Sequence, residues 1–441
     1  MPSRGFRFSS IFFFVVLVNG LVQAQSVGDL TPGVPSKFGL NFAPAVVYGA
    51  NTGEEIYAVA ISDLNGDGSP DVVATGGDEV AVMLNTGDGT LENDGSYDSG
   101  GNGSSYEAFS VAVADLNGDG KPDIVVGNNP GLIGVLLGNG DGTFARAQSY
   151  SSGGYYTDSV AIADLNGDGK PDLIVNNGCV SFSDCSKGSI GILLGNGNGT
   201  FQAAITYSPS GFFPGPVVTA DVNNDGRPDI LVTVCTAQAN GACERAGVAV
   251  LLGNGDGTFR KPFLQDVGFP SGSLTVADVN GDGKPDLVII TCVFSPSCSG
   301  GVGVLLGNGD GTFQQASYFS VATGAGSVVA ADVNGDGKLD LVISTSCPKC
   351  AYGYNGAVGV LLGNGDGTFQ PAGSYSAGGD RAGEVAVADL NGDGKPDIVV
   401  GTCAADLCVP NPEVGVLINT GNSSSSTAVA FSPEPSNDRE K

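Results

Sequence analysis

Asp, Asn and Asp at alternate positions, with a further Asp four residues on, recur seven times in this chain. The oxygen-bearing residues are Asp63, Asn65, Asp67 and Asp71, then Asp115, Asn117, Asp119 and Asp123, then Asp164, Asn166, Asp168 and Asp172. They continue as Asp221, Asn223, Asp225 and Asp229, then Asp278, Asn280, Asp282 and Asp286, then Asp332, Asn334, Asp336 and Asp340, and finally Asp389, Asn391, Asp393 and Asp397. Side chains at alternate positions of a tight loop turn toward a common centre, and a backbone carbonyl at the seventh position can join them. An all-oxygen shell of this kind suits Ca²⁺, with ligands at about 2.3–2.6 Å, better than Mg²⁺, which demands a stiffer, wetter octahedron. The sixth position is always Gly, as at Gly68 and Gly283, and permits the positive φ of a sharp turn. The departures Asn224 and Leu339 fall at positions that supply no ligand. Plain Asn-Gly or Asp-Gly turns with solvated acids are the alternative. Turn chemistry does not require the Asp that opens and closes every copy, so up to seven structural Ca²⁺ ions are expected.

Other chemistry is poorly provided for. The chain has no His, which removes the commonest general base and every Ser/His or Cys/His arrangement. Carboxylate pairs are numerous, but the metal reading accounts for them, so no glycosidase-type acid pair stands out. A calcium-assisted polysaccharide lyase with Lys or Arg as base is the remaining catalytic reading, and no enzyme is expected.

The loops need a scaffold that repeats with them. The copies open at Asp63, Asp115, Asp164, Asp221, Asp278, Asp332 and Asp389. Such a recurrence, with a period of roughly 50 residues, signals a closed repeat architecture. In the sixth repeat, Val328 to Ala331, Asp340 to Ser344, Val358 to Leu362 and Thr368 to Tyr375 read as strands with turn residues between them. Four antiparallel strands in each of seven repeats predict an all-β, seven-bladed β-propeller. Internal repeats end in a Phe-x5-Tyr strand (Phe144/Tyr150, Phe201/Tyr207, Phe369/Tyr375), which the last repeat lacks. Phe42 and Tyr48 carry that spacing ahead of the first repeat, so the N-terminal strand is expected to close the last blade. A short segment from Thr427 to Phe431 is the alternative. The second recurrent phrase, Gly-Asn-Gly-Asp-Gly-Thr-Phe from Gly138, Gly253, Gly307 and Gly363, reads as a tight hairpin turn with a core Phe.

Residues 1–24 read as a secretory signal, with Arg4 and Arg7, an apolar run from Ile11 to Val18, and cleavage after Ala24. A linker spans 25–37, the propeller 38–420 and a flexible Ser-rich tail 421–441. No stretch is apolar and long enough to span a bilayer. The expected protein is secreted, cell-surface or periplasmic, and monomeric. A net charge of −28 argues against nucleic acid, and much of it belongs to the seven loops. Ten cysteines form five local pairs, Cys179/Cys185, Cys235/Cys243, Cys292/Cys298, Cys347/Cys350 and Cys403/Cys408, expected as hairpin disulfides.

Asp-Leu-Asn-Gly-Asp-Gly-Lys-Pro-Asp between Val-Ala-Val-Ala and Ile-Val-Val, followed by Leu-Leu-Gly-Asn-Gly-Asp-Gly-Thr-Phe, resembles the FG-GAP/VCBS repeat. This is the repeat of the integrin α-subunit propeller and of many secreted bacterial proteins. The resemblance implies Ca²⁺ in the loop between the first two strands of each blade, held by the Asp and Asn residues named above, and a role in cell adhesion. The inserted metal-dependent domain of some integrins is missing, so their ligand chemistry does not carry over.

In a four-stranded meander the metal loops and the Gly-Asn-Gly turns share one end of the ring. The opposite end collects the disulfide loops and the irregular residues: Tyr155-Tyr156, Phe212-Phe213, Phe269, Tyr352, Tyr354 and Asp380-Arg381. Variable loops on a rigid scaffold are where binding sits. A non-catalytic binding or adhesion module with an extracellular protein or glycan ligand is expected. A calcium-dependent lectin is the nearest rival, although the chain has no Trp.

Overall fold

The structure, a computed structural model, describes residues 40–101, 108–185, 187–239, 242–268, 271–294, 299–321, 324–346, 356–403 and 412–421. The expected signal and linker, and the tail beyond Gly421, lie outside the described residues. The described strands form seven four-stranded antiparallel sheets, and among the described residues there is no helix. Six sheets use strands consecutive in sequence. The seventh orders Val46–Gly49 beside Pro412–Leu417, then Asp397–Cys403 and Arg381–Ala388, so both chain ends build one blade. Tyr48 pairs with Val414 in that junction.

Burial explains the strand composition. Second strands such as Asp71–Gly76 and Asp123–Asn128 are buried throughout, because each blade is covered on both faces by its neighbours. They therefore read as runs of Val, Ile and Ala, whereas the outer strand Gln148–Ser151 is largely exposed. Seven apolar cores each join two adjacent blades, and the one holding Val72, Val399 and Val416 joins the last blade to the first. The first strand of every blade touches the first strands of both neighbours, and Arg381–Ala388 returns to Ala58–Ser62. The ring is closed, with seven blades.

The Phe-x5-Tyr residues serve this packing across blades, not within them. Tyr97 meets Phe144 of the next blade edge-on with centroids 5.6 Å apart, Tyr150 meets Phe201 at 5.5 Å, and Tyr375 meets Phe42 at 4.8 Å. Phe42 thus fills the place that the last repeat leaves open. It also forms a bridge to Asn419, while the Tyr375 hydroxyl donates to the Leu40 carbonyl at 3.1 Å.

A further tie runs between the innermost strands. The Val160 N–H donates to Ser110 Oγ at 3.1 Å, Val217 to Ser159 at 3.2 Å and Val385 to Ser327 at 3.5 Å. Where the ring closes, the same role falls to a carboxylate: Val59 N–H donates to Glu384 Oε2 at 3.2 Å. The Arg381–Glu55 ion pair at 3.1 Å crosses the same seam. Glu384 is only half-buried by surface area, but protein crowds its carboxyl, and that desolvation pushes it from 4.5 up to about 7, against the lowering effect of the Val59 N–H. The folded chain holds this proton more tightly than the unfolded one. The stability Glu384 contributes is therefore complete below pH 4.5 and is lost as pH rises through about 7. Glu384→Gln, which keeps an acceptor for Val59, is expected to raise the melting midpoint near pH 8 and leave it unchanged near pH 4.5, on the order-of-magnitude logic of linkage. Equal shifts at both pH values would contradict this origin.

Two of the expected disulfides are described, Cys179–Cys185 with Cα atoms 4.2 Å apart and Cys235–Cys243 at 5.6 Å. Cys403 is also disulfide-bonded. Cys408, Cys347, Cys350, Cys298 and the Cys292 side chain lie outside the described residues.

Candidate metal loops and the opposite face

Each candidate metal loop folds around its own first carboxylate. Asp63 Oδ1 accepts the N–H groups of Gly66 and Asp67 at 2.8 and 3.1 Å, and Oδ2 accepts that of Gly68 at 3.0 Å. Asn65 Oδ1 accepts the Asp67 N–H at 2.8 Å, and Asp67 Oδ1 accepts the Ser69 N–H at 2.7 Å. Equivalent bonds to the first carboxylate recur in the other copies through Asp115, Asp164, Asp221, Asp278, Asp332 and Asp389. The sixth-position glycines all adopt positive φ, as the turn requires. Asn224 also takes positive φ, at a position where the other copies have Gly, and Asn tolerates that conformation better than most residues.

The closing Asp has a second task that the spacing did not reveal. Asp71 Oδ2 accepts the Leu64 N–H at 2.8 Å, and its Oδ1 accepts the Asn85 N–H, at the start of the hairpin turn, at 2.8 Å. Asp123 does the same for Leu116 and Gly138, Asp172 for Leu165 and Gly195, and Asp229 for Val222 and Gly253. Asp286, Asp340 and Asp397 complete the set with Val279 and Gly307, Val333 and Gly363, and Leu390 and Asn419. All seven closing residues have no exposed surface. They staple the candidate metal loop to the hairpin turn of the same blade.

Neighbouring loops also interlock. The side chain after the first Asp, such as Leu64 or Leu116, is buried in the core shared with the next blade. The Leu64 carbonyl accepts the N–H of Gly142 from that blade's hairpin turn at 3.2 Å. At the seam Asn replaces the first turn Gly, and Asn85 Nδ2 donates to the Leu390 carbonyl at 2.7 Å.

Electrostatics separates the carboxylates. Burial raises the closing Asp in every loop, with the nearby carboxylates of the same loop adding to it, and carries Asp229 and Asp340 to about 6. The exposed fifth-position Asp168 and Asp393 are lowered, first of all by hydrogen bonds from Lys170 and Lys395. Among the described residues no three carboxylate or thiol side chains by themselves form a cation cage. A cation would have to add the Asn amide oxygen and a main-chain carbonyl to the carboxylates. The donor set is entirely oxygen, carries three negative charges per loop and is repeated seven times, which fits a hard cation.

The opposite end is irregular. Tyr156, Phe182 and Phe213 are 41%, 77% and 49% exposed, and among the described residues they are the exposed large aromatics. All three lie on blade three or the connection leaving it. Tyr155 packs between Tyr156 and Phe182, with centroids at 5.0 and 5.4 Å. Tyr156 and Phe213 both hold positive φ in the left-handed region, a strained conformation for aromatic residues. Phe212 instead exchanges backbone hydrogen bonds with Cys235, so it anchors the connection. Asp380 and Arg381 tie the closing blade through Cys403 and Glu55. Phe269, Tyr352 and Tyr354 lie outside the described residues.

The model of the FG-GAP-like repeat matches residues 63–126, 115–175, 179–232, 239–289, 278–343 and 350–400. The chain belongs to the FG-GAP-like repeat family. No curated protein matches it significantly. Among solved structures, this FG-GAP-like ring is similar to an Agrocybe aegerita lectin that recognises non-reducing terminal N-acetylglucosamine. That match has a TM-score of 0.51 and 22% identity and covers 83% of this chain and 86% of that one. It is also similar to BBS1N in complex with ARL6DN, with a TM-score of 0.54, 10% identity, and 86% and 96% of the two chains covered. At these identities the likeness is one of fold.

Proposed function

We propose that the protein is a secreted, calcium-stabilised, non-catalytic binding module whose ligand docks on the face opposite the metal loops. The observation that carries this reading is the contrast between the faces. One repeats two turn phrases around the ring, whereas on the other the exposed aromatics among the described residues, Tyr156, Phe182 and Phe213, all fall on blade three or the connection leaving it. The first, third, fifth and ninth residues of each loop would hold Ca²⁺. When bound, the ion neutralises carboxylates that the loop otherwise packs against one another. The leader-like N-terminus and the hairpin disulfides support export and an oxidising compartment. A glycan ligand is the second reading, supported by the fold shared with a lectin and by rings able to stack on sugars.

The test is a screen of the mature protein against glycans and extracellular proteins, with calcium and with chelator, alongside melting curves. Chelation is expected to lower the melting midpoint. For whatever ligand the screen finds, Tyr156→Ser and Phe213→Ser are expected to weaken binding by roughly 2 kcal/mol without lowering the midpoint. Lys284→Glu on the metal face should leave binding intact. Binding lost in Lys284→Glu and kept in both aromatic variants would reverse the assignment of faces, and identical midpoints with and without calcium would remove the metal.

A further inference from the structure

The second residue of a candidate metal loop stands between the first two side chains that would hold Ca²⁺. In loops one to four its carbonyl accepts a backbone N–H from the hairpin turn of the next blade. Leu64 accepts from Gly142, Leu116 from Gly199, Leu165 from Gly257 and Val222 from Gly311, at 3.2, 3.3, 3.2 and 2.9 Å. On both flanks of the blade that the two chain ends build, a side chain takes over. Asn85 Nδ2 donates to the Leu390 carbonyl of loop seven at 2.7 Å, and Asn419 Nδ2 to the Val333 carbonyl of loop six at 2.8 Å. Asn85 Oδ1 accepts the Gly89 N–H at 3.2 Å, so its amide is a spacer in the bond that Gly142 makes directly to Leu64. Each Nδ2 also donates to its own loop, Asn85 to the Pro70 carbonyl and Asn419 to the Pro396 carbonyl, both at 3.0 Å. The two Asn residues are 2% and 1% exposed.

The other five blades cannot use this device. Asn85 and Asn419 stand where those blades have Gly138, Gly195, Gly253, Gly307 and Gly363. A Cβ on Gly138 would lie 2.1 Å from the Pro122 carbonyl oxygen, and the other four glycines meet the same carbonyl of their own loops as closely. Only beside the closing blade does the turn leave room for an amide.

The consequence falls on the metal-binding side chains. Leu390 lies between Asp389 and Asn391, and its N–H donates to the closing Asp397 at 2.9 Å. Holding its carbonyl therefore fixes the peptide that joins three oxygen-bearing residues of loop seven. The Asn85 N–H meanwhile holds Asp71 of loop one at 2.8 Å.

We propose that Asn85 and Asn419 are positioning residues for calcium, each joining the two loops on one flank of the closing blade, so that metal uptake and ring closure are coupled. The inference rests on the calcium reading above and adds the residues that tune it. Groups that orient ligands without touching the metal commonly change its affinity about 10–100-fold. Coupling is reciprocal, so bound metal strengthens the junction as much as the junction strengthens metal binding.

The experiment titrates the metal-free full chain with calcium by calorimetry and follows melting with calcium and with chelator. Asn85→Gly introduces the residue that five other blades carry at this place. It should weaken two calcium sites about tenfold and leave the number of ions bound unchanged. In an Asp393→Ala background, which removes an expected ligand of loop seven, its effect on the calcium-dependent rise in midpoint should shrink. In an Asp168→Ala background it should stay whole, because Asn85 makes no bond to loop three. Asp168 and Asp393 each pair with the Lys two residues on, so the two surface changes match. Unchanged calcium affinities beside a lower midpoint in chelator would make Asn85 a structural tie and overturn the proposal, as would equal effects in the two Ala backgrounds. Should Asn85→Gly not fold, Asn419→Gly carries the same expectation through loops six and seven. No calcium uptake by the unaltered chain would instead sink the calcium reading itself.

Discussion

Asp286→Ala is expected to destabilise the ring by on the order of 3 kcal/mol or more, with or without calcium. The reason lies in the two N–H groups that its carboxylate accepts. Val279 donates to Oδ2 at 3.0 Å and Gly307 to Oδ1 at 2.8 Å, at a position with no exposed surface. Truncation would leave both donors buried without partners and would cut the link between metal loop and hairpin turn. Asp282→Ala supplies the contrast. Its carboxylate is exposed and bonds the Lys284 N–H and, loosely, the Lys284 ammonium at 3.7 Å. Its loss should lower the midpoint in calcium and change stability by only about 0.5 kcal/mol in chelator, as surface substitutions generally do. Melting curves of both variants in both conditions separate the roles. If Asp286→Ala matters only when calcium is present, the closing carboxylate is a ligand first and the staple adds little.

This double duty shows where the sequence stops being legible. The phrase from Asp63 to Asp71 encodes local turn geometry, so its period, its glycines and the number of blades could be read directly. The bond from Asp71 to Asn85 spans 14 residues and exists only once two separate turns have been brought to the same end of a blade. The aromatic spacing was legible in the same partial way. Phe144 and Tyr150 mark the outer strand correctly, but each ring packs on the neighbouring blade, with Tyr97 and Phe201, because blade-to-blade contact is where apolar area is buried. Glu384 was missed for another reason. It belongs to no repeated phrase: Glu384 is one acid in a series that elsewhere uses Ser110, Ser159 and Ser327. Of the residues singled out for the ligand face, Tyr156 and Phe213 are exposed as expected, whereas Phe212 and Arg381 are taken up by internal ties.

Removing residues through Tyr48 is expected to be the more damaging of two terminal deletions, because the first described strand belongs to the last blade. Without Val46–Gly49, the edge of Pro412–Leu417 loses its partner, and an unpaired ladder edge recruits other chains. The deletion also strips Leu40 and Phe42, 2% and 7% exposed, from the core between blades six and seven. Burying side chains of that size contributes roughly 2–3 kcal/mol each, so the loss approaches the whole stability of a typical domain once the strand pairing is included. Aggregation on concentration, seen by light scattering, and a collapsed melting transition are the expected readouts. Phe42→Ala isolates the packing component: it should cost about 3–5 kcal/mol, as should Phe369→Ala at the equivalent place in blade six. Deleting residues 423–441 should leave the transition unchanged. A damaging C-terminal deletion beside a silent N-terminal one would mean that the ring is closed by the other end of the chain. A Phe42→Ala variant far milder than Phe369→Ala would show instead that the N-terminal strand lies against blade seven without helping to hold it.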